Sequence, residues 1–236
     1  MKFHKIYIQQ NIVCLIIFIF ILLVSMFLYP GGAKFNPSAT HYLFFENFIS
    51  HLGREYTFSG ASNYFPSVLF KTGVYLVSFS FALLFLFQPL IFKNHLQSYK
   101  LSIAGSCLAL CAALAFIGIG YYSAGPATIK IHLAFVKISF YLFFISSVFQ
   151  TISIKINPLF NKKMFLIYLL FTAGLLAYNL LIEFGPRPNK NLISLIIQVS
   201  AQKIIALLFI LNFIFQGAQM LKSLNRNNQI QKVPSS

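Results

Sequence analysis

The chain carries three acidic side chains, and two of them, Glu46 and Glu55, fall within the stretch ENFISHLGRE at positions 46–55. His51 and Arg54 lie between them, so a chain otherwise rich in Phe, Leu and Ile gathers its scarce ionisable groups in one place. Two lysines, Lys137 and Lys203, fall inside long apolar runs, where a charge is costly and marks a functional site by default. Lys203 follows Gln202, and the spacing of Gln198 and Gln202 puts those two amides on one helix face. His132 lies near the start of the run that holds Lys137, and Glu183 near the end of the next. The chemistry this set offers is recognition of an anion. Lys203 and Arg54 supply charge-assisted donors for a phosphate or a carboxylate. Glu46, Asn47, Ser50, His51, His132, Lys137, Glu183 and Gln202 are the other candidates to line such a pocket.

Other chemistries meet obstacles in the residue types. A hydrolytic trio of Ser50, His51 and Glu55 would need neighbouring helix positions to point at one another, which they do not. Haem held by two axial histidines needs a facing pair, and only His132 lies in or near an apolar run. Gly60-Ala61-Ser62 superficially suggests an intramembrane serine protease, but the histidine base is missing from the right place. Zinc-dependent hydrolysis needs clustered His and Asp, and the chain contains no Asp. No glycine-rich phosphate loop occurs, so ATP is not an expected energy source. Cys14, Cys107 and Cys111 read as packing residues. No cofactor and no metal is expected, and catalysis is the less favoured reading. A head-group enzyme using His51 or His132 as base, a small secondary transporter and a structural partner stay as alternatives.

The elements that must position these groups follow from composition. Hydrophobic residues make up 58% of the 236 positions, charged residues 9%, and the mean hydropathy is +0.77. Soluble domains carry about a quarter charged residues, so the medium this chain suits is lipid. A helix of about 20 apolar residues crosses a hydrocarbon core of about 30 Å. Six such runs are legible, over about 11–29, 67–92, 101–122, 129–152, 164–182 and 192–221, with Gly and Pro between them. The expectation is an all-α polytopic membrane bundle of six transmembrane helices over residues 1–224, with a polar tail at 225–236. The first run is long for a signal peptide and lacks an evident cleavage site, so it reads as a retained span. The net charge of +15 lies in short connections, which points to membrane lipids as partners and not to nucleic acid; a homo-oligomer is compatible with it.

Ten Lys and Arg lie before the first span, in the second–third and fourth–fifth connections and after the sixth span, against six in or beside the other connections, which places both termini in the cytoplasm of a bacterial inner membrane. The long first connection, residues 30–66, then lies outside. Within it, Ser38 can cap a helix and Gly53 can end one. Asn47, Ser50, His51 and Arg54 recur at helical spacing opposite Phe45, Phe48 and Leu52, so the stretch predicts a short amphipathic helix with one wet side. Lys203, about 17 Å into the sixth span at about 1.5 Å per residue, would reach up to it.

The run N47-F-I-S-H-L-G53-R54, followed by G60-A-S-N-Y-F-P-S-V-L-F70, resembles the first outer loop of a bacterial six-span family known as domain of unknown function 998. That family is similar in plan to the DRAM/Frag/Sfk membrane proteins, whose loop carries an I-S-D-x-G and then a P-x-S-x-x-F pattern. The matching residues are Ile49, Ser50 and Gly53, then Pro66 or Ser67 and Phe70, with His51 standing where the family has Asp. His132 and the Gln202-Lys203 pair also resemble the bacterial family. The resemblance implies a six-span architecture and, by analogy alone, an association with lipids.

Overall fold

The computed structural model describes residues 2–230, with side chains described for residues 5–222. Six long helices account for most of it: α1 (Lys2–Phe27), α2 (Tyr64–Phe87), α3 (Leu96–Tyr121), α4 (Ile129–Ile156), α5 (Lys162–Phe184) and α6 (Leu192–Ile230). Each is long and apolar enough to cross a membrane. Such a helix satisfies its own backbone groups, which hydrocarbon cannot do for it. Residues 231–236 of the expected tail lie outside the described residues, and α6 continues across 225–230.

Local chemistry sets the ends. Pro30-Gly31-Gly32 follows α1, with both glycines at positive φ (101° and 86°), and the Gly32 N–H donates to the Ala39 carbonyl at 2.8 Å. The Asn161 side chain caps α5 by accepting from Met164 N, and Asn191 caps α6 by accepting from Ser194 N. Each helix packs on its sequence neighbours, and α6 returns against α1 to close the ring. The α3–α4 pair is the most extensive, because small residues line it. A side chain at Gly105 would meet Ser146 and Gln150, and one at Gly118 would enter the Phe135 ring.

Phenylalanines fill the middle. Phe81 of α2 lies 4.6 Å, centroid to centroid, from Phe213 of α6, and Phe209 stands edge-on to Phe143 and Phe171. Away from the loop, a buried amide network ties α3, α4 and α5 to the short 3-10 segment Gln88–Phe92 that follows α2. Gln150 Nε2 donates to the Ser102 carbonyl and Ser106 Oγ, while its Oε1 accepts from Gln88, which also donates to the Tyr168 hydroxyl.

The first connection departs from expectation. In place of an amphipathic helix beginning near Ser38, it forms turns and one five-residue 3-10 helix, Ile49–Gly53. An isolated helix of this length is marginal in water, and the aromatic run Tyr42–Phe45 adds little helical preference. Its backbone groups find partners elsewhere in the bundle. The expected wet side is also absent: Asn47, Ser50 and His51 are buried together with Leu52, whereas Phe44 and Phe45 are exposed at 51% and 58%.

Candidate functional site

The loop sits as a plug in one end of the ring, held from several sides. Gly53 lies against the Phe70 ring of α2, where an added Cβ would come within 2.7 Å of Cδ1. Ser67 Oγ donates to the Gly53 carbonyl at 3.0 Å. Asn63, fully buried just before α2, donates from one amide nitrogen to the carbonyls of Leu52 and Arg54. On the opposite side α6 supplies two contacts. Gln202 Oε1 accepts from the Ile49 N–H at 2.7 Å, and Lys203 Nζ donates to the Asn47 carbonyl at 2.7 Å.

Lys203 is half-buried, and its ammonium also lies 4.8 Å from the Phe44 ring centre and 5.5 Å from that of Tyr42. It forms no ion pair among the described residues. Its depth is smaller than the start of α6 suggests. Gln198 Nε2 donates to the Leu181 and Pro186 carbonyls, so the end of α5 is level with Gln198 and α6 rises beyond it. Lys203, five residues on, is about 7 Å below that level.

His51 sits under the plug between the Phe48 and Phe58 rings. Its Nδ1 accepts from the Phe48 N–H at 3.2 Å, which assigns the Asn47 amide, 3.1 Å away, the orientation with its nitrogen toward Nδ1. The same Asn47 amide donates to the Gly32 carbonyl. Two donors on one ring nitrogen require the neutral imidazole. Burial, then the nearby charges of Arg54, Lys203, His132 and Lys34, hold its pKa well below the ordinary histidine value.

Not every candidate joins this centre. Arg54 turns the other way, donating to the Ala124 and Tyr56 carbonyls and lying 4.1 Å above the Phe58 ring. Burial lowers its pKa from the usual arginine value. His132 donates from Nδ1 to the Tyr122 carbonyl at 2.7 Å, tying α4 to the end of α3. Lys137 and Glu183 pair with each other at 2.7 Å, and Tyr141 donates to the same carboxylate. Neither Lys137 nor Glu183 lines the spaces beside Lys203. Glu46 keeps one carboxylate oxygen buried without a hydrogen-bond partner. Among the described residues no three His, Cys, Asp or Glu side chains come together to hold a metal.

Two apolar spaces adjoin the plug. A central cavity of about 100 Å³ lies beneath Ile49, Ser50 and Gln202, walled by Phe81, Phe140 and Phe209. A groove of about 440 Å³ runs between α1 and α6, with Lys203 at its edge beside Phe44 and Phe45. Sequence reasoning singled out Lys203 but missed Tyr42, Phe44 and Asn63. The position of Asn63 just before a helix was a signal, although its side chain bonds backward to the loop and does not cap α2.

The fold and site define a class, a multi-pass helical membrane protein with two apolar spaces beside a plugged end and Lys203 at the edge of one of them. The chain matches no family model, no curated protein and no solved structure.

Proposed function

We propose that this integral membrane protein binds an anionic group, a lipid head group or a small anion, at the plugged end of its bundle, with Lys203 as the cation. The observation that carries the reading is the ammonium itself. It sits under the loop with a carbonyl and two aromatic faces around it and no carboxylate in ion-pair contact among the described residues. Partly desolvated charge without a counter-ion is expensive, and an arriving phosphate or carboxylate would supply the missing charge.

The same proposal places the protein in a bacterial inner membrane with both termini cytoplasmic, supported by its Lys and Arg distribution, and takes membrane lipids as its partners. Membership of the six-span family known as domain of unknown function 998 belongs to the proposal too. Its support is that the two halves of the shared loop pattern meet: Ser67 bonds Gly53, and Gly53 rests on Phe70.

The test is mass spectrometry of the lipids and anions retained on the purified protein. Lys203→Met should lose a retained anionic species while the bundle stays folded. Identical retention in the variant and the parent chain would refute anion binding at Lys203.

A further inference from the structure

The central cavity and the α1–α6 groove share part of their lining. Leu22, Ile49, Ala206 and Ile210 face both spaces, so the partition between the bundle interior and its outer surface is one layer of side chains there. It is a weak partition. Ala206 contributes a single methyl group, and Ile49 belongs to the short 3-10 helix and not to a spanning helix. Polar donors flank it on both sides. Lys203 lines the groove, and Gln202 lines the cavity, where its Oε1 is occupied by the Ile49 N–H and its Nε2 makes no hydrogen bond among the described residues.

We propose that this partition is a lateral portal for a long-chain fatty acid. The molecule enters from the bilayer between α1 and α6, lays its carboxylate on Lys203 Nζ and most of its hydrocarbon chain along the groove, and passes only the end of the chain beside Ala206 into the central cavity of about 100 Å³. This rests on anion binding at Lys203 and adds the class of occupant and its route. Charge and shape both select the occupant. Lys203 is the cation that lines the groove, matching the single charge of a carboxylate. The rest of the lining is almost wholly apolar, which gives a free inorganic anion no partner beyond Lys203, and a groove of about 440 Å³ falls within the range of ligand-sized sites. A two-chain phospholipid brings a second chain for which a cavity of about 100 Å³ has no room.

The test uses the full chain in phosphatidylcholine nanodiscs, titrated with oleate, oleyl alcohol and acetate. In the unaltered protein, a fatty acid carrying a photoreactive group at the end of its chain should cross-link to Val136 or Phe209, which line the cavity and not the groove. Lys203→Met should weaken oleate about tenfold or more and leave oleyl alcohol unchanged, whereas Ala206→Phe should weaken both. Cross-links confined to the outward residues Ile204 and Leu207, or full oleate affinity in Ala206→Phe, would overturn the portal and leave the anion site standing. Loss of a phospholipid, with no oleate binding, would overturn the fatty acid and keep the anion site. Oleate and retained-lipid binding both indifferent to Lys203→Met would overturn the two readings together.

Discussion

The ammonium of Lys203 lies 2.7 Å from the main-chain oxygen of Asn47, 156 positions away in sequence. That contact, with the Gln202–Ile49 bond beside it, joins the sixth helix to the loop after the first. Removing the ammonium costs the loop little, because the Asn47 carbonyl also accepts from the Tyr42 hydroxyl at 2.8 Å. Lys203→Met should therefore loosen the plug by about 1 kcal/mol. Hydrogen exchange of residues 43–53 should accelerate about fivefold, with the spanning helices unchanged.

Asn63 should matter more to stability than any charged residue of the loop. Its amide holds two carbonyls of the plug from a fully buried position. Asn63→Ala leaves both acceptors unpaired and should cost about 1–3 kcal/mol, read as a lower thermal midpoint in detergent.

Gly53 and Phe70 form a size-matched pair. A methyl group at Gly53 would enter the Phe70 ring, so Gly53→Ala should destabilise the protein by about 1–3 kcal/mol through overpacking. Adding Phe70→Leu should recover part of that loss. A double variant no better than Gly53→Ala alone would show that the contact is not the cause.

Acidification should release the plug. His51 is neutral in the docked loop, and its pKa there lies well below the ordinary value. The undocked loop binds the proton near pH 6.5, so it holds more protons than the docked form below that pH, and docking weakens as pH falls. Exchange at residues 47–53 should rise progressively below about pH 6.5, and His51→Gln should flatten the dependence.

The far-end network predicts a different sensitivity. Gln150→Leu removes an amide that bonds Ser102, Ser106 and Gln88. The partners stay buried and lose their bonds, so the variant should unfold at lower temperature while oleate or anion binding at the opposite end is retained. Thermal unfolding and ligand titration on the same sample separate the two effects.

The sequence by itself determined the six helices, because the length and apolarity of a run are local properties, and a helix in lipid satisfies its backbone from within. It also marked Lys203, since a cation inside an apolar run stands out without any knowledge of its neighbours. The surroundings of Lys203 were decided by the tertiary structure. Periodicity gives the face of one helix but not the direction in which that face points relative to the others. Lys137 and Glu183 could therefore find each other while Lys203 met a loop carbonyl. The loop shows the same limit more sharply. The helical spacing of its Asn, Ser and His reads as a helix with polar side outward, yet Asn47, Ser50 and His51 are buried and Phe44 and Phe45 are exposed. The buried Asn47 and His51 side chains bond to each other and to loop backbone, while α2 and α6 hold the loop's main chain over them. Which side of an amphipathic stretch is buried depends on those surroundings, and only the assembled helices supply them.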